Sequence, residues 1–461
     1  MPASPARAAA FDILLAVQQR DAYASELLHS DRLRDLSAAD RGLCTEIVMG
    51  VLRWQSALDA TLARFSSQKL SRLDPEVLAA IRMAAYQIAF TRVPPRAAVN
   101  ESVELVKRAR KKSAAPFVNA VLRKVVIAAP QIAPGGMEAQ KDTPYERIAE
   151  TYAHPQWLIS RWILEYGPAA TLAICRFDQE VPATTLRLTD PAAESELRSE
   201  GIELAPGALL ALARCVASGD LTHTRAFVEG RLHIQDEGSQ LVAALVGRGL
   251  RLLDCCAAPG GKTAVLAEQN PEATIVAAEL HEHRARLLRE RVRAANVQVI
   301  TADASNLNVG SNFDRILADV PCSGTGTLAR NPEIKWKLQK DDLRDLHARQ
   351  VSILGGALSH LAPGGRLVYS TCSLEAEECE SVVEEVLREN AAYRLVDCRK
   401  ELERLERDRE LTSNSNRGSS QAAQRPITID SLLRGPYLRT IPGLHPCDGF
   451  FAAIIERMIN N

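Results

Sequence analysis

Two cysteines, fifty residues apart, stand where they can do chemistry. Cys322 lies in residues 317–325, LADVPCSGT, where an apolar run ends in Asp319 and passes through a proline into a loop of small residues. Cys372 lies in residues 368–373, VYSTCS, at the end of a second apolar run. Cys322 alone admits three readings, a nucleophile, a helper or a buried thiol, because cysteine is often just a small core residue. A pair at matching strand ends suits covalent catalysis. C5 of cytosine is too weak a nucleophile to take a methyl group from a sulfonium unaided; thiolate addition at C6 turns the ring into an enamine whose C5 can attack. Such a reaction also needs a polar group at the N3/N4 edge of the pyrimidine and a base to remove the C5 proton.

A donor site is legible upstream. Residues 251–263, RLLDCCAAPGGKT, describe a strand running through a tight loop (Cys256, Ala257, Ala258, Pro259, Gly260, Gly261, Lys262) into a helix. Such loops at the carboxyl end of a strand offer backbone N–H groups to a ligand. The spacing is neither G-x-G-x-x-G nor that of a P-loop. The next strand ends in Glu279, 25 residues after Asp254, where a carboxylate can accept both ribose hydroxyls; Asp303 follows the third strand, within reach of an adenine amino group. Acids at three successive strand ends beside one glycine loop suit a nucleoside with a non-phosphate tail, and S-adenosylmethionine fits. His281 and His283 alternate at a helix start and diverge, so no metal is expected.

These residues need a scaffold, and the chain shows three sections. Residues 1–128 look all-helical, with apolar residues at three- and four-residue steps in 9–19, 58–65, 75–90 and 100–109, and with Asp74-Pro75 and Asn100 at expected helix starts. Residues 129–144, rich in Pro and Gly, read as a linker. Residues 145–235 mix a helical stretch with strand-like pieces (184–189 and 230–235), a small α+β unit. From 236 to 461, strands at 251–256, 274–279, 297–302, 314–319, 365–370 and 449–456 alternate with longer helical segments, the pattern of an α/β domain with a parallel sheet. Residues 405–432 are polar and read as a mobile insertion.

Bulk properties narrow the class. Of 461 residues, 46% are hydrophobic and 25% charged, as in an ordinary globular protein. The N-terminal apolar stretch is broken by Asp12 and by Gln18, Gln19 and Arg20, which reads as an amphipathic helix rather than a signal peptide. With no apolar run long enough to span a membrane, a cytoplasmic location with no membrane partner is expected. Ten cysteines without regular spacing fit reduced thiols. The net charge of −1 conceals a basic front: residues 1–125 hold 14 Arg and 5 Lys against 7 Asp and 5 Glu, a net of +7 that leaves −8 for the rest. Such a segment suits a polyanion, nucleic acid being the usual one, although an Arg-rich solvated surface accounts for it equally.

The segments LLDCCAAPGGKT, LADVPCSGTG with RNPEIKW, and LVYSTCSLEAEE resemble the motifs of RNA cytosine-5 methyltransferases. DRGLCTEIVMGVLRWQSALD, RVPPRAAVNESVELVK and FVNAVLRK are similar to the NusB-type RNA-binding domain of one branch, the RsmB (Sun/Fmu) family of bacterial 16S rRNA methyltransferases. YAHPQWLISRWILEYG and LHIQDEGSQLVA resemble that family's middle region and the entry to its catalytic domain. The resemblance implies a NusB-like all-α domain, an RRM-like α+β module and a Rossmann-like methyltransferase domain. It implies S-adenosylmethionine as cofactor, a 16S ribosomal RNA partner and a monomer. It also implies roles: Cys372 as nucleophile, Cys322 in product release, Asp319 at the cytosine edge, and Lys262 orienting the base or the Asp319 carboxylate. Arg330, Lys335 and Lys337 follow the Pro-Cys loop and could grip RNA beside the site, although a plain surface charge accounts for each equally. Glu279 departs from the aspartate common in relatives, and Cys255 precedes the usual Cys256. Transfer RNA as substrate, or a non-catalytic RNA-binding factor, are the competing readings.

Overall fold

In the computed structural model, residues 3–19, 22–30, 33–128, 147–310, 312–412 and 427–459 are described. The expected linker at 129–144 and residues 413–426 of the expected insertion lie outside them. The chain forms two compact units, one of residues 1–181 with 328–337 and one of 182–327 with 338–461. Among the described residues, no helix is long and apolar enough to cross a membrane.

The first unit is helical. Helices Pro5–Gln19, Ala38–Arg53, Gln55–Phe65, Pro75–Phe90, Pro95–Arg108 and Ala115–Ala128 enclose a core that includes Phe11, Ile47, Leu58, Leu62, Ile81, Met83 and Leu122. Helix Pro75–Phe90 is buried almost all round and is therefore the central helix of the bundle. It starts as its sequence dictates, with Asp74 at the N-cap and Pro75 in the first turn, where a missing N–H costs nothing. Asn100, expected at a helix start, lies instead in the second turn of a helix that Pro95 opens.

The unit boundary falls at 181, not at 145. Helix Gln156–Gln179, bent at Gly167 (φ +80°) before Pro168, belongs with the bundle. So does the segment 328–337, in which Glu333, Lys335 and Lys337 bond to backbone groups of the same unit. Lys335 is 1% exposed and its Nζ donates to the carbonyls of Arg53 (2.9 Å) and Ala153 (3.0 Å). Trp336 Nε1 donates to Leu52 O, Lys337 Nζ to Ala22 O, and Glu333 accepts the Ala24 N–H. The reading of Lys335 as an RNA grip is thus overturned: two backbone carbonyls claim its donors, and Lys337 is likewise engaged. Burial lowers the Lys335 ammonium to about 7, against the opposing pull of Asp178.

The second unit carries two sheets. In the smaller, β1 (Thr185–Leu188), β2 (Glu203–Pro206), β3 (Ala213–Ser218) and β4 (Leu232–Ile234) pair antiparallel in the order β2-β3-β1-β4. Helices Ala193–Ser199 and Arg225–Val228 follow β1 and β3, completing the β-α-β-β-α-β connectivity expected of an RRM-like module. β1 and β3 carry no aromatic residue on which a base could stack. Arg187 of β1 pairs with Glu268 at 3.0 Å, and buried Glu237 accepts the backbone N–H groups of Ala208, Leu209 and Leu210, tying this sheet to its neighbour.

The larger sheet has the order β11-β12-β13-β9-β8-β5-β6-β7. β5 (Arg251–Asp254), β6 (Thr274–Glu279), β7 (Val297–Thr301), β8 (Phe313–Asp319) and β9 (Leu361–Thr371) run parallel. β10 (Tyr393–Val396) and β12 (Tyr437–Arg439) pair antiparallel with β13 (Phe451–Arg457), as β11 (Leu433–Arg434) does with β12, and β13 pairs antiparallel with β9. Helices flank this sheet; the apolar side chains of β5, β8 and β13 are buried, as a sheet covered on both faces requires, and those of β7, β10 and β11 are partly exposed. The described flanks of the expected insertion are ordered, with Leu405 and Leu432 in the core.

Two loops cross at glycine. Gly326 accepts the Gly449 N–H at 2.7 Å and donates to Cys372 O at 2.9 Å; a Cβ on Gly326 would stand 2.2 Å from Gly449 O. Gly326→Ala is expected to destabilise the second unit by about 1–3 kcal/mol through overpacking, seen as a lowered thermal midpoint. A second expectation concerns Lys335. From pH 7 to 10 the unfolded chain holds a proton that folded Lys335 has released, so this residue makes stability rise with pH there. Replacing it in Lys335→Met should flatten the rise by up to about 1.4 kcal/mol per pH unit; melting curves over that range with identical pH slopes would contradict the assignment.

Candidate active site

Parallel strands end together, so the carboxyl edge of β5, β6, β8 and β9 gathers the residues just past each strand. β8 and β9 are in register with Asp319 opposite Ser370. Ser370 Oγ donates to Asp319 Oδ1 at 2.6 Å, and Lys262 Nζ lies 2.8 Å from Asp319 Oδ2. Three residues beyond Asp319 and two beyond Ser370, the sulfurs of Cys322 and Cys372 approach to 3.3 Å. The four residues named for chemistry from the sequence are thus brought to one place.

The electrostatics are specific. Burial draws the Lys262 ammonium down, but the adjoining Asp319 carboxylate outweighs it, with help from the charges of Cys372 and Asp254, and the net shift is upward. Lys262 also sits 5.1 Å from the centroid of the Phe450 ring, which favours a cation over its face. A hydrogen bond to Cys372, followed by burial and by the charges of Cys372, Glu378 and Asp319, holds the Cys322 thiol well above its ordinary value. Cys322 and Cys372 keep partial exposure, whereas Cys255, Cys379, Cys398 and Cys447 are buried with raised pKa values and are chemically quiet.

The donor loop is built as its residue types require. The Ala258–Pro259 peptide is cis, and Gly260 (φ +110°) turns the chain in a conformation open to glycine, so that helix Gly261–Gln269 starts without a capping side chain. Cys255 and Ala257 donate backbone N–H groups to Leu317 O and Ala278 O, pinning the loop to both neighbouring strands. Asp254 is fully buried, and one oxygen accepts from Thr263 Oγ1 at 2.8 Å. Burial pushes its pKa up to about 7. Buried Glu279 accepts the His281 N–H at 3.0 Å, 3.7 Å from Arg284. Asp303 is exposed, and its Oδ1 accepts from Ser305 N and Oγ, which holds its carboxyl below the usual range. Burial raises Cys256 strongly. Four carboxylates with one lysine and an uncapped helix start fit a cationic nucleoside that brings its own donors.

The sequence reading missed the supporting residues. Ser370 and Phe450 hold Asp319 and Lys262, while Arg439, 2% exposed, donates to Ser373 O at 3.0 Å and pairs with Glu380. An arginine and a phenylalanine more than sixty residues from Cys372 carry no local signal linking them to it.

Residues 247–456 match the family model of the 16S rRNA methyltransferase RsmB/F, and residues 4–126 match the NusB family. Ribosomal RNA small subunit methyltransferase B of Vibrio cholerae is 34% identical over 370 residues, 77% of this chain and 83% of that protein. The protein of the same name from Pseudomonas syringae is 32% identical over 390 residues, 79% and 83% of the two chains. Among solved structures, PH0851 shares the fold over 99% of both chains, with a TM-score of 0.77 at 22% identity. A methyltransferase homolog from Pyrococcus horikoshii matches 68% of this chain and 100% of its own, with a TM-score of 0.53 at 25% identity. With relatives aligned along most of their length, the chain belongs to the RsmB/F family of 16S rRNA methyltransferases and is an S-adenosylmethionine-dependent RNA methyltransferase whose front is a NusB-like domain.

Proposed function

We propose that this chain methylates C5 of one cytosine in 16S ribosomal RNA through a transient bond between Cys372 and C6 of the base. The observation that supports this most is the 3.3 Å approach of two thiols beside the Lys262–Asp319 pair. S-adenosylmethionine, when bound, supplies a methyl group on a positively charged sulfur. Its holders would be the backbone of Cys256, Ala257, Ala258, Pro259, Gly260 and Gly261, with Glu279 at the ribose, Asp303 at the adenine, and Lys262 and Asp319 near the tail.

The chain's own groups then divide the work. Cys372 attacks C6, and the ring's electrons move toward N3, leaving a nucleophilic C5. Asp319 accepts from the 4-amino edge, while Lys262 offsets the negative charge pushed onto the ring. Once C5 carries its methyl group, its proton must leave so that the C6–sulfur bond can break. The largest influence holding the proton on Cys322 is its hydrogen bond to Cys372, and that influence ends when the Cys372 sulfur is bonded to carbon. In the adduct the Cys322 sulfur, its own proton passed to solvent at the partly open edge, takes the C5 proton as the C6–sulfur bond breaks and Cys372 leaves as its thiolate. The flipped-out base that this chemistry requires is most accessible in an RNA loop, with the basic helical unit contributing phosphate contacts.

Cys372→Ala should abolish methyl transfer, and Cys322→Ala should accumulate a protein–RNA adduct on denaturing gels; an adduct from Cys372→Ala instead would reverse the two roles. Glu279→Ala should weaken cofactor binding by about 10–100-fold, the worth of charge-assisted hydrogen bonds, read by calorimetry. Bisulfite sequencing of RNA from a deletion strain should show one missing 5-methylcytosine in 16S RNA, and a site lost from transfer RNA would move the substrate there.

A further inference from the structure

Glu378 lies six residues beyond Cys372, at the end of the loop that carries it, and its carboxylate reaches the Cys322 loop as well. It is fully buried. Oε1 accepts the Ser323 N–H at 2.8 Å and Gln350 Nε2 at 2.9 Å. Oε2 accepts from the hydroxyls of Ser323 and Ser373. Ser323 follows Cys322 and Ser373 follows Cys372, so one carboxylate grips the residue beside each thiol. The grip is reinforced around it. The two serine oxygens are 3.1 Å apart, Ser373 Oγ accepts the Glu375 N–H at 3.0 Å, and Thr325 Oγ1 accepts the Leu374 N–H at 2.9 Å. Gln350 donates also to Pro321 O at 3.0 Å, on the other side of Cys322, and Tyr369 Oη donates to the Glu378 carbonyl at 2.7 Å.

The surroundings specify a carboxylate. Two of the four groups facing it, a backbone N–H and an amide NH2, can only donate, and an ionised carboxyl is acceptor-only. A buried carboxylate is costly unless every lone pair is used, so four donors on one group mark a site whose geometry is fixed. The neighbouring Arg439–Glu380 pair, at 3.0 Å, supports the far side of the Cys372 loop. Glu378 spans both loops.

We infer that Glu378 is a positioning residue for the two-thiol reaction, its carboxylate setting the separation of Cys322 and Cys372. The inference rests on the covalent mechanism proposed above only for its catalytic consequence; the separation can be read without it. Diamide takes two electrons and two protons from a pair of neighbouring thiols, becoming the hydrazine as the sulfurs join, so its rate of forming the Cys322–Cys372 disulfide, followed by peptide mass spectrometry, reports their approach in the RNA-free enzyme. Glu378→Ala should slow that rate at least fivefold and lower kcat for methyl transfer at least tenfold, with cofactor Kd and RNA KM changed less than twofold. Glu378→Gln, which keeps the shape and one acceptor, should fall between it and the wild type and serves where the alanine variant does not fold. An unchanged disulfide rate in the folded variants overturns the inference, whatever happens to kcat. So does a joint collapse of cofactor binding and RNA KM in Glu378→Gln, which would make the residue a support of the fold alone. Should Cys322→Ala yield no RNA adduct, the covalent mechanism falls while the disulfide rates still decide the role of Glu378.

Discussion

The site depends on one register. β8 and β9 lie side by side and parallel, with Asp319 opposite Ser370, so the chain leaves both strands at the same edge and at the same height. A slip of one residue would turn every side chain of one strand to the other face of the sheet. Asp319 would then lose Ser370 and Lys262, and Cys322 would leave Cys372. Register is secured because both strands are buried on both faces: Ile316, Leu317, Ala318, Leu367, Val368 and Tyr369 have no exposed surface to exchange. β13, antiparallel on the far side of β9, adds six paired positions to the same anchoring.

Beyond the strand ends, the loops that carry the thiols have no sheet to hold them, and polar groups take over. Glu378 and Gln350 fix one side, Arg439 and Glu380 the other, and the glycine crossing at Gly326 and Gly449 lets the backbones meet where any side chain would intrude. This is a costly way to build, since each buried charge must find partners. It keeps the two sulfurs within reach of each other.

Ten cysteines of similar sequence character acquire different chemistry from their surroundings. Burial keeps Cys255, Cys379, Cys398 and Cys447 protonated, while Cys322 and Cys372 share a partly open edge with a lysine and an aspartate. Lys335 shows the same principle in the opposite direction. Its sequence neighbourhood, between two further basic residues just past the Pro-Cys loop, reads as an RNA-gripping surface. The fold spends its charge on two backbone carbonyls in the helical unit instead.

Residue order alone was enough to read the succession of apolar strands and the residue types at their ends. β5, β6, β7, β8 and β9 announce themselves as short apolar runs, and the acids, glycines and thiols come at fixed offsets, because a parallel strand's carboxyl end is a local property. The NusB-like front was legible for a similar reason, its helices being marked by period and by proline starts such as Asp74-Pro75. β2, β3, β11 and β12, two to six residues long, escaped notice, since none of them is a sustained apolar run. The unit boundary at 181, the membership of segment 328–337 in the helical unit, and the service of Glu378, Arg439 and Phe450 at the thiol edge emerge only in the folded chain. Those outcomes turn on which distant donors a buried charge meets, and a one-dimensional spacing holds no record of such partners.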